Sequence, residues 1–489
     1  SVSIPIDARQ LRFWVHADGS GHVLRVRVRD RSGQMLQYTV GNLNWQGWRQ
    51  VTVNLEEPNG FWDGNNDGIP APPLTLTSIL IDSKSRSFVG IGRILVDELA
   101  AVAFLPESKS VLMSVAGKRA GNIFTEKEEI AFTFTFENLM DKARELEVSY
   151  FAENTTGRTY GSGNFSTALP AKGKAAERIT LPIRANGTFN LRVYLRSRDR
   201  VVRVEEVFPF SRIVALDVLH PDFGVCTHFG QFKGEAQKNL EITALAGAGW
   251  IRDEVYWSRV EKEKGIFDFT IYDGYIQEAV ERNLNILMIL DYGNVLYGEG
   301  APETEEQLAG WQRYVEAAVE RYHHVIKHWE IWNEFSHGLG LNERQKALSK
   351  QEQAKIYLPI LRIAYETIKR IDPEAVVVAF GNAGIDEEFI DAVLAIGGGK
   401  YLDAISVHPY SFPNTPEARG YVSRLQSAKD VLAKHGLDVP IWVTEIGWPT
   451  HDDTNGVSER VSGAYGVRMY VLSIASGLAD KIFWYDLQD

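Results

Sequence analysis

Two glutamates end apolar runs in the C-terminal half of the chain. Glu334 closes the run His328-Trp-Glu-Ile-Trp-Asn-Glu, and Glu445 closes Ile441-Trp-Val-Thr-Glu. A buried carboxylate destabilises a fold unless it is paired, hydrogen-bonded or neutralised, so each of these residues calls for an explanation. Glycosidic bond cleavage needs such a pair, with one carboxyl protonated to donate to the leaving oxygen and the other ionised to attack the anomeric carbon. A structural ion pair is the alternative for either glutamate alone.

A third carboxylate, Glu330, competes with Glu334 for the catalytic role. On an ideal strand Glu330, Trp332 and Glu334 share one parity, and Asn333 has the other. Glu334 comes last in the run and next to an amide, so we expect it at the end of the strand. Glu330 is expected to lie deeper or to be held in an ion pair.

The elements that must position these residues form a regular series after about residue 216. Short apolar segments alternate there with helix-patterned segments such as 305–324 and 351–371, which is typical of a parallel sheet. The apolar segments are 223–230, 250–255, 285–293, 325–335, 375–384, 404–410, 440–448 and 481–487. Eight such strands predict a (β/α)8 TIM barrel over 217–489. The chain stops just past the eighth strand, so we expect that the last helix and further chain are missing from this sequence.

The active site of such a barrel lies at the C-terminal ends of its strands. The polar and aromatic residues at those ends are His228, Arg252, Asp253, Asp291, Asn333, Glu334, His408, Tyr410, Glu445, Trp448, Trp484 and Asp486. Strands four and seven lie across the barrel mouth from each other. Facing carboxyls roughly 5–5.5 Å apart would make the reaction retaining.

Three motifs together resemble the clan A glycoside hydrolases. They are Trp332-Asn-Glu334 on strand four, Ser406-Val-His-Pro-Tyr410 on strand six and Thr444-Glu445 on strand seven. The resemblance covers roughly residues 217–489. It implies a retaining glycoside hydrolase acting on β-linked glycosides, with Glu334 as the acid/base and Glu445 as the nucleophile.

The same resemblance implies roles for the residues around the two glutamates. Asn333 would hold the sugar 2-hydroxyl, Tyr410 would donate to the nucleophile, and Arg252 would support the nucleophile's charge and lower its pKa. His408 would contact either the sugar or the catalytic residues, and Trp484 would form the aromatic floor under the sugar. The remaining predicted substrate contacts are His228, Asp291 and Trp448.

Two motifs indicate different families within the clan. Gly247-Ala-Gly-Trp-Ile-Arg252 is similar to family 39 and its neighbours, whereas Thr444-Glu-Ile-Gly-Trp-Pro-Thr450 is similar to β-1,3-glucanase barrels. The substrate stays open among β-glucan, β-xylan and a bacterial exopolysaccharide. A non-catalytic carbohydrate-binding or scaffolding protein, and a transglycosylase on the same barrel, are the alternatives to hydrolysis.

Two β-sandwiches are predicted before the barrel. Residues 1–106 and 107–212 both alternate polar and apolar residues in short runs broken by turns. The first resembles jelly-roll modules that bind or buttress carbohydrate, through the motifs at 44–48 and 90–97, and the second is predicted to be immunoglobulin-like.

Composition narrows the partners and cofactors. A net charge of −12 argues against nucleic acid or an anionic membrane as the main partner, and no apolar run is long enough for a membrane span.

Residues 63–68 have the first half of a calcium loop, but position twelve would be Leu74, so a polar turn is expected. His323, His324 and His328 do not converge as metal ligands, and we expect no metal or cofactor. Ser1 in place of Met suggests a removed N-terminal segment, and an extracellular or periplasmic location is expected.

Overall fold

A computed structural model describes residues 2–5, 8–83, 93–103, 107–451 and 453–487. The chain divides into two compact units, one of residues 1–116, 132–181 and 190–208, and the other of residues 117–131, 182–189 and 209–489. The predicted domain boundaries at 106/107 and 212/217 stay predictions. Residues 104–106 at the first boundary, and residues 90–92 of the predicted 90–97 motif, lie outside the described residues.

The first N-terminal sandwich has a five-stranded and a three-stranded antiparallel sheet. The larger sheet has the order β1 (Val2–Ile4), β7 (Leu74–Asp82), β3 (Val23–Arg29), β4 (Met35–Asn42) and β6 (Gly60–Trp62), and the smaller has the order β5 (Gln46–Asn54), β2 (Ala8–Asp18) and β8 (Leu95–Ala103). Alternate residues of each strand, such as Phe13 and Val15 of β2 and Leu24 and Val26 of β3, join one buried cluster. The two sheets therefore pack face to face.

The second sandwich again combines five strands with three. Its larger sheet has the order β10 (Ile123–Thr125), β16 (Arg203–Ile213), β15 (Gly187–Ser197), β12 (Arg144–Asn154) and β13 (Thr159–Leu169), and its smaller sheet has the order β14 (Lys174–Leu181), β11 (Ile130–Asn138) and β9 (Val111–Ala116). Phe134 of β11 meets Phe165 of β13, with ring centroids 5.4 Å apart, and Tyr150 of β12 at 6.1 Å. The predicted arrangement of two N-terminal sandwiches is confirmed.

The predicted eight-stranded parallel barrel is also confirmed. Its strands close in the order β17 (His220–Cys226), β18 (Ala248–Tyr256), β21 (Asn285–Asp291), β22 (His328–Ile331), β23 (Val376–Ala383), β24 (Ala404–His408), β25 (Ile441–Ile446) and β26 (Lys481–Trp484). The short strands β19 (Glu261–Glu263) and β20 (Ile266–Phe267) form a separate hairpin. The helices are α1 (Ala236–Leu245), α2 (Trp257–Val260), α3 (Thr270–Glu281), α4 (Glu305–Tyr322), α5 (Glu343–Lys346), α6 (Lys350–Ile371), α7 (Glu387–Ala395), α8 (Tyr421–Lys434) and α9 (Glu459–Ser476).

Local sequence explains where the long barrel helices begin. Thr304 and Gln307 form a reciprocal capping box at the start of α4, and Ser349 and Glu352 form another at the start of α6. Each box satisfies backbone N–H groups that have no partner within the helix. Among the described residues, no helix is both long enough and apolar enough to cross a bilayer.

Large apolar side chains fill the lower barrel, and polar residues occupy its upper end. Trp250, Leu287, Val378, Trp442 and Phe483 come from five different strands and form one buried cluster. This packed floor confines the polar side chains to the C-terminal ends of the strands, where the site is expected.

Candidate active site

The turn after β22 brings two neighbouring residues to the same site. β22 ends at Ile331, and Trp332 and Glu334 both take left-handed backbone conformations, with φ of 69° and 49°. The Asn333 Oδ1 atom accepts a hydrogen bond from Arg252 at 2.9 Å, while the Glu334 side chain lines the central cavity. The parity predicted for an ideal strand therefore does not apply to Asn333 and Glu334, because the strand ends before them.

Glu445 lies on β25 between two donors. Arg252 Nη1 donates to its Oε1 at 2.6 Å, and the Tyr410 hydroxyl donates to its Oε2 at 2.8 Å. Burial alone would raise the pKa of Glu445. The neighbouring His408, the charge of Arg252 and the hydrogen bond from Tyr410 outweigh burial, so this pKa lies below its ordinary value. Glu445 is thus held as a carboxylate.

Arg252 on β18 connects three acceptors. Besides Glu445 and Asn333, its guanidinium donates through Nε to Glu330 Oε2 at 2.6 Å. Glu330 has no exposed surface, so the structure places it deep and in an ion pair. Burial opposes the charge of Arg252, yet the neighbouring Glu330 and Glu445 hold its pKa well above the ordinary value. A permanent cation is therefore fixed under the site.

A hydrogen-bond chain connects Glu334 to Glu330. The Thr444 hydroxyl donates to Glu330 Oε1 at 3.1 Å, so its oxygen is left to accept from His408 Nε2 at 3.0 Å. The other nitrogen of that imidazole, Nδ1, lies 2.8 Å from Glu334 Oε1. If the imidazole is neutral, Nδ1 is an acceptor and Glu334 must supply the proton, whereas a charged imidazole donates to an ionised Glu334. In either form, the His408–Glu334 contact contains one proton.

The two glutamates are close enough to act on one bond. One carboxylate oxygen of Glu334, one of Glu445 and a ring nitrogen of His408 all lie within 4.8 Å of one another. These atoms could by distance alone hold a metal ion. Both Glu445 oxygens, however, already accept hydrogen bonds from Arg252 and Tyr410, and His408 shares a proton with Glu334. This donor set fits proton transfer better than metal binding.

A cavity of about 590 Å³ opens above the glutamates. Glu334, Tyr410, Glu445, Trp448 and Trp484 all line it, as do His451 and Asn455 from the loop after β25. The side chain of Glu334 is 16% exposed and that of Glu445 is 9% exposed, so both carboxyls reach the cavity. Trp448 donates from Nε1 to the Asn414 carbonyl at 2.8 Å, which fixes its ring in the wall.

Five of the predicted substrate contacts do not line the cavity, namely Arg252, Asn333, His228, His408 and Asp291. His408 has no exposed surface and contacts Glu334 and Thr444 instead. Asp291 is also fully buried, and neither of its carboxylate oxygens has a hydrogen-bond partner among the described residues. Burial and the charge of Glu254 raise the pKa of Asp291 well above its ordinary value. The structure therefore buries Asp291 away from the cavity lining, in surroundings that favour its protonated form.

His228 lies between two acidic groups beside the cavity. Its Nδ1 is 3.7 Å from Glu254 Oε1, and its Nε2 is 3.5 Å from Asp486 Oδ2. Asp486 lines the cavity, whereas His228 does not, and burial lowers the pKa of His228. His228 therefore supports a cavity wall in this structure.

Sequence reasoning selected Asp253 and missed its neighbour Glu254. The Asp253 carboxylate accepts from the Thr227 hydroxyl at 2.7 Å and from the backbone N–H groups of Phe229 and Gly230, so it anchors the turn after β17. Glu254 instead accepts from Gln231 near the site. Strand parity was the available signal, because residues 252 and 254 share one face.

Residues 63–68 and His328, which are candidate metal ligands by sequence but are not expected to bind a metal, make ordinary structural contacts. In the 63–68 turn, Asp67 accepts from Gln34 Nε2 at 3.2 Å and from the backbone N–H of Ile69. The ring of His328 packs edge-on against Trp250, with centroids 4.6 Å apart, and burial lowers its pKa to about 4.

The fold and the site define a (β/α)8 barrel with two opposed glutamates at its mouth. Comparison with solved structures shows which known proteins have a similar fold. A family 39 glycoside hydrolase from Bacteroides cellulosilyticus WH2 is similar to the chain, with a TM-score of 0.56, 23% identity, and coverage of 75% of this chain and 74% of that one. The predicted resemblance to family 39 glycoside hydrolases is thereby confirmed at the level of fold.

Weaker similarities involve other glycosidases. A family 39 β-xylosidase from Caulobacter crescentus has a TM-score of 0.42 and 18% identity, covering 54% of this chain and 62% of that one. A β-glucuronidase from Bacteroides uniformis has a TM-score of 0.39 and 12% identity, covering 98% of this chain and 59% of that one. These TM-scores are too low to infer a common fold.

Sequence comparison adds one short match. The family model of FlaA, a flagellar filament outer layer protein, matches residues 6–66, and the described part of this range, 8–66, lies within the first sandwich. No curated protein matches the chain.

Proposed function

We propose that the protein is a retaining glycoside hydrolase that cleaves β-linked glycosides. The observation that carries this proposal is the pair of carboxyls at the barrel mouth, with oxygens of Glu334 and Glu445 within 4.8 Å. Retaining glycosidases place these groups about 5–5.5 Å apart, whereas inverting enzymes need about 6.5–9.5 Å to admit a water molecule. The close spacing favours double displacement.

In the first step, Glu334 gives its proton to the leaving glycosidic oxygen while Glu445 attacks the anomeric carbon. The carbon–oxygen bond breaks, and a covalent glycosyl–Glu445 ester forms with a neutral leaving alcohol. In the second step, the Glu334 carboxylate takes a proton from a water molecule, and the oxygen of that water attacks the same carbon. The ester bond breaks, the sugar leaves with its original anomeric configuration, and both carboxyls return to their starting forms.

The surrounding contacts support this division of roles. Arg252 and Tyr410 stabilise Glu445 as an anion, and His408 keeps a proton in contact with Glu334. In this proposal Asn333 binds the sugar 2-hydroxyl, and Trp484 in the cavity wall stacks on the sugar ring.

The candidate substrates are those left open by the two motifs at 247–252 and 444–450, which indicate different families. We propose a β-glucan, a β-xylan or a bacterial exopolysaccharide as the natural substrate. An extracellular or periplasmic location would bring the protein to such polymers and forms part of the proposal.

The test combines turnover with stereochemistry. The protein and its Glu445→Gln and Glu334→Gln variants are assayed on a panel of aryl β-glycosides and polysaccharides, and NMR follows the anomer released first. We expect wild-type turnover with retention, and a loss of at least about 10³-fold for Glu445→Gln. Glu343→Gln, a 90% exposed glutamate on α5, serves as the matched control with unchanged turnover.

Each contrary result has a defined meaning. Near-normal activity of Glu445→Gln, or release of the inverted anomer, would defeat the proposed mechanism. Sugar binding without turnover by the wild type would identify a non-catalytic binding protein, and transfer to sugar rather than to water would identify a transglycosylase.

A further inference from the structure

A second cavity lies on the outer face of the second sandwich, entirely within residues of the first compact unit. This groove has a volume of about 660 Å³ and runs over strands β12, β15 and β16. We call it the arginine groove and define it by Glu147, Tyr194, Arg196, Arg200, Arg203 and Glu205. Its volume is comparable to that of the cavity above Glu334 and Glu445.

Two aromatic rings are exposed together on this face. Tyr194 on β15 is 40% exposed and Phe151 on the neighbouring β12 is 37% exposed, and their ring centroids are 6.0 Å apart. Single exposed apolar residues are ordinary on protein surfaces, so the contact between two exposed rings beside a groove is the informative feature here. The hydroxyl and ring of Tyr194 give a surface suited to stacking on a flat, partly polar ring.

The neighbouring strand β13 extends this face with small outward side chains. Its outward residues opposite β12 are small and polar, because Asn164 lies opposite Ser149 and Ser162 opposite Phe151. All three outward positions of β13 at 162, 164 and 166 are exposed. An extended chain lying over the groove could therefore continue across β13 without meeting a bulky side chain there.

The charges of the groove are not balanced. Arg196 pairs with Glu147 at 2.6 Å, and Glu205 pairs with Arg192 at 3.2 Å. The exposed side chains of Arg200 and Arg203 have no ion-pair partner within the described part of the chain. Two uncompensated guanidinium groups thus line one groove of a protein whose net charge is −12.

We propose that the arginine groove binds an acidic glycan, through sugar carboxylates on Arg200 and Arg203 and a sugar ring stacked on Tyr194. A guanidinium presents two parallel N–H groups that match a carboxylate, which a neutral polymer lacks. The groove would hold the polymer independently of bond cleavage at the barrel, so this site does not require the proposed catalytic activity.

The probe is polygalacturonate, titrated calorimetrically into the full-length protein. The Arg200→Gln/Arg203→Gln variant is expected to bind at least about tenfold more weakly, since each lost charged hydrogen bond weakens binding appreciably. Tyr194→Ala is expected to bind about fivefold more weakly. The Arg362→Gln/Arg460→Gln variant, which removes the same charge from exposed barrel positions, is the matched control with unchanged affinity.

Three comparisons decide the outcome. Wild-type affinity should fall between 50 and 300 mM salt, as expected for exposed charges, and a neutral β-glucan and duplex DNA should bind at least about tenfold more weakly than polygalacturonate. Equal binding by the Arg200/Arg203 variant, or equal affinity for either control polymer, would overturn the proposal. Aryl glycoside turnover should be the same in all groove variants, so a protein without turnover would refute the proposed function and leave the groove result intact.

Discussion

Two carboxyls of identical chemistry have different neighbours at the barrel mouth. Glu445 accepts from a permanent cation and a phenol, whereas Glu334 faces an imidazole with which it shares a proton. Environment of this kind is what separates an acid from a nucleophile in glycoside cleavage. The residues that accept or donate to the two glutamates are therefore as important to the proposed chemistry as the glutamates themselves.

Replacing Tyr410 by Phe tests the stabilisation of the nucleophile. The hydroxyl lowers the pKa of Glu445, so its loss should raise that pKa and leave fewer ionised molecules in acid. We expect the acid limb of kcat/KM to move to higher pH, and kcat to fall about tenfold. The measurement is a pH profile with an aryl glycoside, with Tyr465→Phe as control. An acid limb that stays in place would contradict the role given to Tyr410.

Asp291 makes a residue-scale prediction about stability. Burial and Glu254 raise its pKa in the folded state, so the folded protein retains a proton that the unfolded chain has released. Stability is therefore lost as pH rises above the unfolded value near 4, by up to about 1.4 kcal/mol per pH unit. Asp291→Asn removes this loss, so the melting temperature of the variant relative to the wild type should rise as pH increases above about 4.

The control for this comparison is Asp217→Asn, which changes an exposed carboxylate. Calorimetric melting temperatures of the two variants and the wild type give the answer. If the difference between Asp291→Asn and the wild type is the same at every pH, Asp291 is not held neutral.

At the scale of elements, sequence patterns predicted the regular strands and helices of the barrel. All eight barrel strands fall within or beside their predicted segments, and α4 and α6 match the predicted 305–324 and 351–371 closely. Each of these strands and helices has a hydrophobic periodicity or a capping box that its own residues specify. The failures fall where the period ends: nothing local predicts the left-handed backbone at Trp332 and Glu334, which depends on contacts made by other strands.

Gly381 on β23 is one of those contacts. Its carbonyl accepts from the Glu334 N–H at 2.7 Å, its φ is +50°, and an added Cβ would lie 2.9 Å from the Trp332 carbonyl oxygen. Gly381→Ala should therefore destabilise the fold by about 2–3 kcal/mol and displace the turn that presents Glu334. Because small misplacements of catalytic groups are costly, we expect kcat to fall by about tenfold or more.

Gly397→Ala is the matched control for the glycine. Its φ is +94°, but an added Cβ would meet nothing within 4 Å. It should cost about 1 kcal/mol through backbone strain alone and leave kcat unchanged. Denaturant unfolding and steady-state kinetics on both variants separate strain from displacement, and equal effects at the two glycines would rule out a specific role for Gly381.

For the molecule as a whole, folding changes the proton affinity of carboxyls in both compact units. Hydrogen bonds and ion pairs lower the pKa of Asp18, which reaches about 2, and of many others, including Asp199, Asp273, Asp391 and Glu417. Burial instead raises the pKa of Asp253, Glu254 and Asp291 at the barrel mouth. Lowered values predominate, so the unfolded chain takes up more protons in acid, and stability should fall as pH drops below about 4.5.

Asp273 isolates one contribution to this acid sensitivity. It lies on α3 and accepts from Arg321 Nε at 3.0 Å and Nη2 at 2.6 Å, and from the Tyr322 hydroxyl at 2.8 Å, both on α4. The hydrogen bonds from Arg321 lower its pKa, so its stabilisation is present above the unfolded value and is lost as pH falls through the folded one. Because the pair is partly exposed, Asp273→Asn should lower the melting temperature at pH 7 by only about 1–3 °C. The difference from wild type should shrink as pH falls below about 4 and through the lowered pKa of Asp273. Asp438→Asn, at a fully exposed carboxylate, should match the wild type throughout. A deficit that stays as large in acid as at pH 7 would mean that the contact between α3 and α4 depends on packing rather than on charge.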